Sequence, residues 1–174
     1  MSRTRPITRQ QYRQLVRSLP EPSALAVMIS ADTGLRVSDV LALRSGDVAR
    51  TMHVTERKTG KRRTVHLRPA TLRAAEQYRH HGQAQLIPLA PCTIYRQIRR
   101  AAADLGLEHV SMHSLRKMYA REYCRNHGLA ATQRELQHDY LSTTLLYVLD
   151  PDTLDALTGG QDHVSDRPQQ RHTE

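Results

Sequence analysis

The sequence predicts an α+β domain, mainly α-helical with one small antiparallel β-sheet. Three observations carry this. Apolar residues recur at helical spacing through most of the chain. One stretch, 51–67, instead alternates apolar and polar residues about a Thr59-Gly60 turn. Capping residues, prolines and glycines bracket the helical runs.

Taken in order, residues 1–21 form a basic N-terminal segment and a first helix over 9–18, with Thr8 as its cap and Tyr12, Leu15 and Val16 on one side. Pro20 and Pro22 end it. The apolar run of residues 23–32 predicts a buried helix, stopped at Thr33-Gly34, and a short helix follows from Leu35-Arg36 to Leu43. Asp39, three residues after Arg36, is in reach of its guanidinium on that helix. A two-residue Thr59-Gly60 loop would pair Met52 with Leu67, Val54 with Val65 and Glu56 with Arg63, apolar facing apolar and acid facing base. Pro69 opens a helix over 70–81, and 82–88 is a connection. Pro91 opens a helix over 92–105 with an Ile94, Ile98, Ala102, Leu105 stripe and Arg96, Arg99 and Arg100 on its other side. Helices over 112–127, capped by Ser111 or by local turn chemistry, and over 130–138 follow, then one containing Tyr147 that Ser142 can cap. Residues 151–157 have an amphipathic pattern, and the polar stretch 159–174 reads as a disordered tail.

The chain of 174 residues can bury one sizeable core, but it has no Phe or Trp, so aliphatic residues and seven Tyr must build it. A net charge of +9 favours a polyanionic partner. Arginine supplies most of it, with only Lys58, Lys61 and Lys117 as lysines, and the guanidinium fork suits phosphate oxygens. A solvated basic surface without a partner is the plainer reading. No apolar run reaches membrane-spanning length, so no membrane partner is expected. Cys92 and Cys124 imply reduced thiols and a cytoplasmic setting. Neither a glycine-rich phosphate loop nor metal-ligand spacing of Cys and His occurs, so no cofactor and no metal are expected.

The chemistry concentrates in His113-Ser114-Leu115-Arg116, His138 and Tyr147. Residues 113 and 116 share one helix face. Positions 138 and 147 would oppose each other on an unbroken helix, but Asp139–Thr143 allows a bend that returns Tyr147 to the same point. Two imidazoles, a guanidinium and a phenol around one point suit a phosphodiester.

These residues resemble the catalytic domain of the tyrosine recombinases, the phage integrase family. Thr33-Gly34-Leu35-Arg36-Val37-Ser38-Asp39 is similar to its first arginine box, and Lys58, in Lys58-Thr59-Gly60-Lys61-Arg62-Arg63, to its hairpin lysine. His113-Ser114-Leu115-Arg116 resembles the H-x-x-R box, Leu136-Gln137-His138 the L-G-H box, and Ser142–Tyr147 the tyrosine box. The resemblance covers residues 22–150 within a domain of residues 22–158; Gln137 stands where glycine is usual, and Lys117 where histidine is frequent.

The resemblance implies site-specific cleavage and rejoining of double-stranded DNA through a 3′-phosphotyrosine, without metal or ATP. Tyr147 would be the nucleophile. Arg36 and Arg116 would neutralise the phosphate oxygens, and His113 would accept the phenolic proton or bond the phosphate. His138 would donate to a phosphate oxygen. Lys58 would protonate the leaving 5′-oxygen, with Lys61 as the alternative. Asp39 would support Arg36, and Arg62, Arg63, Arg96, Arg99 and Arg100 are candidate contacts to the DNA backbone. A homotetramer on DNA and a monomer without it are implied, with residues 151–158 docking on a neighbour through Leu154 and Leu157. Accessory DNA-bending proteins and a place on the nucleoid are further expectations. Members usually have an N-terminal helical domain that closes a clamp around DNA. Two other functions fit the same residues: relaxation of supercoils as by a type IB topoisomerase, and DNA-binding regulation with a relic pocket.

Overall fold

In the computed structural model, which describes residues 4–79 and 84–149, eight α-helices surround one two-stranded sheet. They are α1 (Arg9–Ser18), α2 (Glu21–Thr33), α3 (Val37–Leu41), β1 (Thr51–Thr55), β2 (Arg62–His66), α4 (Pro69–Tyr78), α5 (Pro91–Asp104), α6 (Met112–His127), α7 (Leu129–Leu136) and α8 (Leu141–Val148). The segment 151–158 with its two leucine anchors, and the tail 159–174, lie outside the described residues.

Helix α2 is the centre. It is apolar on all sides, as a helix buried all round must be, and it packs against α1, α3, α4 and α6. Leu25, Ile29, Leu35, Ile94, Ile98 and Leu115 meet in this core with almost no exposure. Gly34 ends α2 at φ 66°, the left-handed cap expected of glycine. Helix α1 carries the predicted cap at Thr8, which forms a capping box with Gln11. It sends Leu15 into the same core.

The hairpin forms in a register two residues from that predicted. Met52 pairs with Val65, Val54 with Arg63 and Thr55 with Arg62, and Glu56 N–H donates to Lys61 O at 3.0 Å around the turn Arg57–Gly60. A shift of two keeps every side chain on its face, so Met52, Val54, Val65 and Leu67 still point inward. Glu56 explains the wider turn. Its carboxylate is fully buried at the hairpin base between Arg36 and Arg63, so it meets Arg63 through side chains rather than across the ladder.

Ser142 does not cap the helix that carries Tyr147. Helix α8 starts with Tyr140 as a cap without a side-chain bond, and Ser142 lies within its first turn. The break between α7 and α8 comes from Gln137, whose backbone is left-handed at φ 54°, ψ 42°.

Candidate active site

Arg36, the N-cap of α3, follows the Gly34 cap, so its side chain leaves the end of α2 toward the start of α6. Its Nη1 pairs with Glu56 Oε2, and a quarter of the side chain remains exposed. On α6, Ser111 caps the first turn and places His113 and Arg116 on one face. Leu35, Arg36, Val37, Ser38, Tyr95 and Ser111–His113 line a cleft of 480 Å³ with Arg116.

Arg116 is almost completely buried and held by backbone. Nη1 donates to Gly34 O and Nη2 to Leu136 O at 3.0 Å, which fixes the guanidinium against the ends of α2 and α7. Burial, and then the neighbouring Arg36, lower its pKa from the ordinary arginine value. That excess of positive charge suits an anion.

His138 Nε2 lies 3.5 Å from Arg116 Nη2, and its Nδ1 lies 3.1 Å from Thr144 Oγ1. Guanidinium cannot accept, so Nε2 accepts and Nδ1 donates to Thr144. Burial, with Arg116 and Arg36, pushes the His138 pKa down to about 4. The expected donation from His138 to a phosphate is therefore not the arrangement of the free protein, where its Nε2 accepts.

Tyr147 sits over these groups. Its ring is 4.8 Å from the His138 ring and 5.0 Å from the His113 ring, both edge-on, with the Arg116 guanidinium carbon 5.8 Å from the ring centre. The hydroxyl lies 2.6 Å from His113 Nε2. His113 keeps one edge at the surface, yet burial of the ring, then Arg116, Lys117 and Arg36, lower its pKa. It is neutral at neutral pH, so Nε2 accepts and the phenol donates.

The structure thus brings together Arg36, His113, Arg116, His138 and Tyr147 from four separate stretches. Lys58 does not join them: it is exposed on the turn, with no hydrogen bond or ion pair among the described residues. Lys61 reaches Asp139 at 3.6 Å. Asp39 does not hold Arg36. Its Oδ1 accepts from Arg57 N at 2.9 Å and so anchors the lysine turn, because Glu56 has taken the guanidinium.

Arg63 also departs from expectation. It is 6% exposed and donates to Glu56, to Glu135 at 2.6 Å and to Thr33 O, so it cannot lie on DNA. Burial opposes its charge, but Glu135 and Glu56 outweigh that and hold its pKa above the ordinary value. Arg62, Arg96, Arg99 and Arg100 are exposed.

Glu56, Glu135, Thr144 and Tyr95 were not singled out by sequence as site residues. Thr144 carried a usable signal, being three residues before Tyr147 on one helix. Glu56 lies two residues before Lys58, but its burial depends on the register of the hairpin. Among the described residues no group of His, Cys, Asp and Glu could hold a metal ion, and no helix is long and apolar enough to cross a membrane.

Residues 5–152 match the Phage integrase family. The chain is similar to the probable integrase/recombinase YoeC of Bacillus subtilis (strain 168), with 29% identity over 83% of this chain and 87% of that protein. It is 31% identical to the tyrosine recombinase XerC of Mesorhizobium japonicum, over 72% of this chain and 46% of that protein. The crystal structure of a lambda integrase dimer bound to a COC′ core site superposes with a TM-score of 0.71 at 23% identity, over 87% of this chain and 61% of that one. The chain therefore spans less than two thirds of the XerC and lambda integrase chains. By its family match and its fold, this chain is a tyrosine recombinase catalytic domain and belongs to the phage integrase family.

Proposed function

We propose that this domain cleaves and rejoins double-stranded DNA at a specific site, with Tyr147 as the nucleophile. The observation that carries the reading is the Tyr147 hydroxyl at 2.6 Å from His113 Nε2, beside Arg116 and His138. In cleavage the Tyr147 oxygen bonds to phosphorus and the bond from phosphorus to the 5′-oxygen breaks. His113 takes the phenolic proton, and Lys58 gives a proton to the departing oxygen. Arg36 and Arg116 neutralise the non-bridging oxygens. The 3′-phosphotyrosyl bond keeps the phosphodiester energy, so the reverse steps rejoin the strand without ATP. Lys61 is engaged with Asp139, which favours Lys58 as the acid.

Arg62, Arg96, Arg99 and Arg100 are proposed contacts to the DNA backbone, and a homotetramer on DNA is the proposed assembly. The DNA-bound integrase dimer among the structural neighbours supports DNA as the partner.

The test is covalent capture from a pool of nicked duplexes randomised around the nick. The expected result is an SDS-resistant adduct that Tyr147→Phe abolishes and that Arg116→Ala and Lys58→Ala reduce. DNA binding without any adduct would favour a regulator, and relaxation of a two-site plasmid without exchange would favour topoisomerase-like action.

A further inference from the structure

Gln137 is an unusual residue to find in a left-handed backbone. Side chains with a Cβ rarely adopt this region, and those that do at functional sites hold it because the surroundings require it. Here the backbone closes α7, with Gln137 N–H donating to Arg134 O and His138 N–H to Gln133 O, both at 3.1 Å, and the side chain separately meets the lysine turn. Gln137 Oε1 accepts from Thr59 Oγ1 at 3.2 Å, and Gln137 Nε2 reaches Arg62 O at 3.5 Å. The carboxamide therefore touches the turn next to Lys58 and again where β2 begins. Beside it, Lys61 and Asp139 make a second link between the same two segments. Thr59 is tied inward as well, accepting from Lys61 N at 3.3 Å and lying 3.5 Å from Glu56 Oε2.

The other end of this connection is the active site itself. Gln137 directly precedes His138, whose ring contacts Arg116 and Tyr147. A two-residue path thus joins the exposed turn bearing Lys58 to the groups that surround the phenol. Glycine, usual at this place in the family the sequence resembles, has no side chain that could make it.

We propose that Gln137 is a positioning residue: its carboxamide latches the Lys58 turn to the C-terminal end of α7 and so sets where Lys58 meets the leaving 5′-oxygen. This rests on the recombinase reading above, and it separates two functions of position 137. The backbone turns the chain into α8, which glycine would do equally well. The side chain acts through Lys58 alone.

The experiment compares two substrates with the sequence recovered by covalent capture, one with oxygen and one with sulfur as the bridging 5′ atom. A thiolate leaves without protonation, so the sulfur substrate does not need the lysine. Gln137→Gly is expected to slow single-turnover cleavage of the oxygen substrate by about 100-fold, the scale of a misplaced catalytic group, and to leave the sulfur substrate unaffected. Thr59→Val removes the same bond from the turn side and is expected to behave alike, with the double variant no slower than either single one. Equal slowing on both substrates, or none on the oxygen substrate, would overturn the latch while leaving the recombinase reading intact. No adduct from the unaltered chain on either substrate would remove both.

Discussion

The Tyr147 hydroxyl donates to His113 Nε2 across 2.6 Å, linking α8 to the first turn of α6. Because the His113 pKa is lowered from 6.5, the imidazole stays neutral and ready to accept down to a pH below that value. We predict that His113→Gln slows adduct formation by roughly 100- to 10,000-fold, the usual contribution of a positioned base. In the unaltered chain the acid limb of the rate against pH should fall below pH 6.5. An acid limb above 6.5, or a His113→Gln variant cleaving at full rate, would remove His113 from the proton transfer.

His138 links the same site to stability. Its pKa is about 4 in the fold against 6.5 for an ordinary histidine, so between these values the unfolded chain binds a proton that the folded chain does not. Stability is therefore full above pH 6.5 and declines as pH falls toward 4, with His113 acting in the same direction. Melting temperatures measured from pH 7.5 to 4.5 should fall in this window, and His138→Gln should flatten the decline. A decline unchanged in that variant would show that His138 is not its source.

Much of this was legible in the sequence, for reasons that differ by element. Helices α1 and α6 carry their own caps at Thr8 and Ser111, so local chemistry sets where they begin. The alternation of Met52, Val54, Val65 and Leu67 identified the inward face of the hairpin, but alternation cannot distinguish registers two residues apart. The register depends instead on Glu56, which turns inward to two arginines from distant parts of the chain. The same long-range contact redirected Asp39 to Arg57 N and drew Arg63 away from the surface. Of the site, the motifs located Arg36, His113, Arg116, His138 and Tyr147, whose place depends on helix ends. Apart from Thr144, which the spacing to Tyr147 points to, partners such as Glu56 come from burial, which no spacing encodes.

Glu56 should be among the residues least tolerant of change. Its side chain is fully buried, and both Arg36 and Arg63 bond to it. Burial opposes its charge, but those two guanidiniums outweigh burial and hold its pKa below the ordinary 4.5. Glu56→Ala leaves the Arg63 charge enclosed with only Glu135 to pair it, and we predict a loss of about 3–5 kcal/mol in denaturant unfolding. A loss below about 1 kcal/mol, the scale of an exposed pair, would mean that the carboxylate does not hold these arginines together.

Gly34 combines two demands that no other residue meets. Its φ of 66° lies in the left-handed region, and a Cβ built there would sit 2.5 Å from Tyr119 Cδ1. Its carbonyl meanwhile receives Arg116 Nη1. Gly34→Ala is therefore predicted to destabilise the fold by about 1–3 kcal/mol through backbone strain, before the clash with the ring is counted. It should also slow adduct formation, because any shift of the Gly34 carbonyl moves the guanidinium proposed above to neutralise the phosphate oxygens. The second variant Tyr119→Ala with Gly34→Ala separates the causes: removing the ring relieves the clash but leaves the strain. Partial recovery of melting temperature in the double variant relative to Tyr119→Ala alone plus Gly34→Ala alone is the expected result, since the two sites are in contact. Strict additivity would show that the ring does not oppose a side chain at position 34.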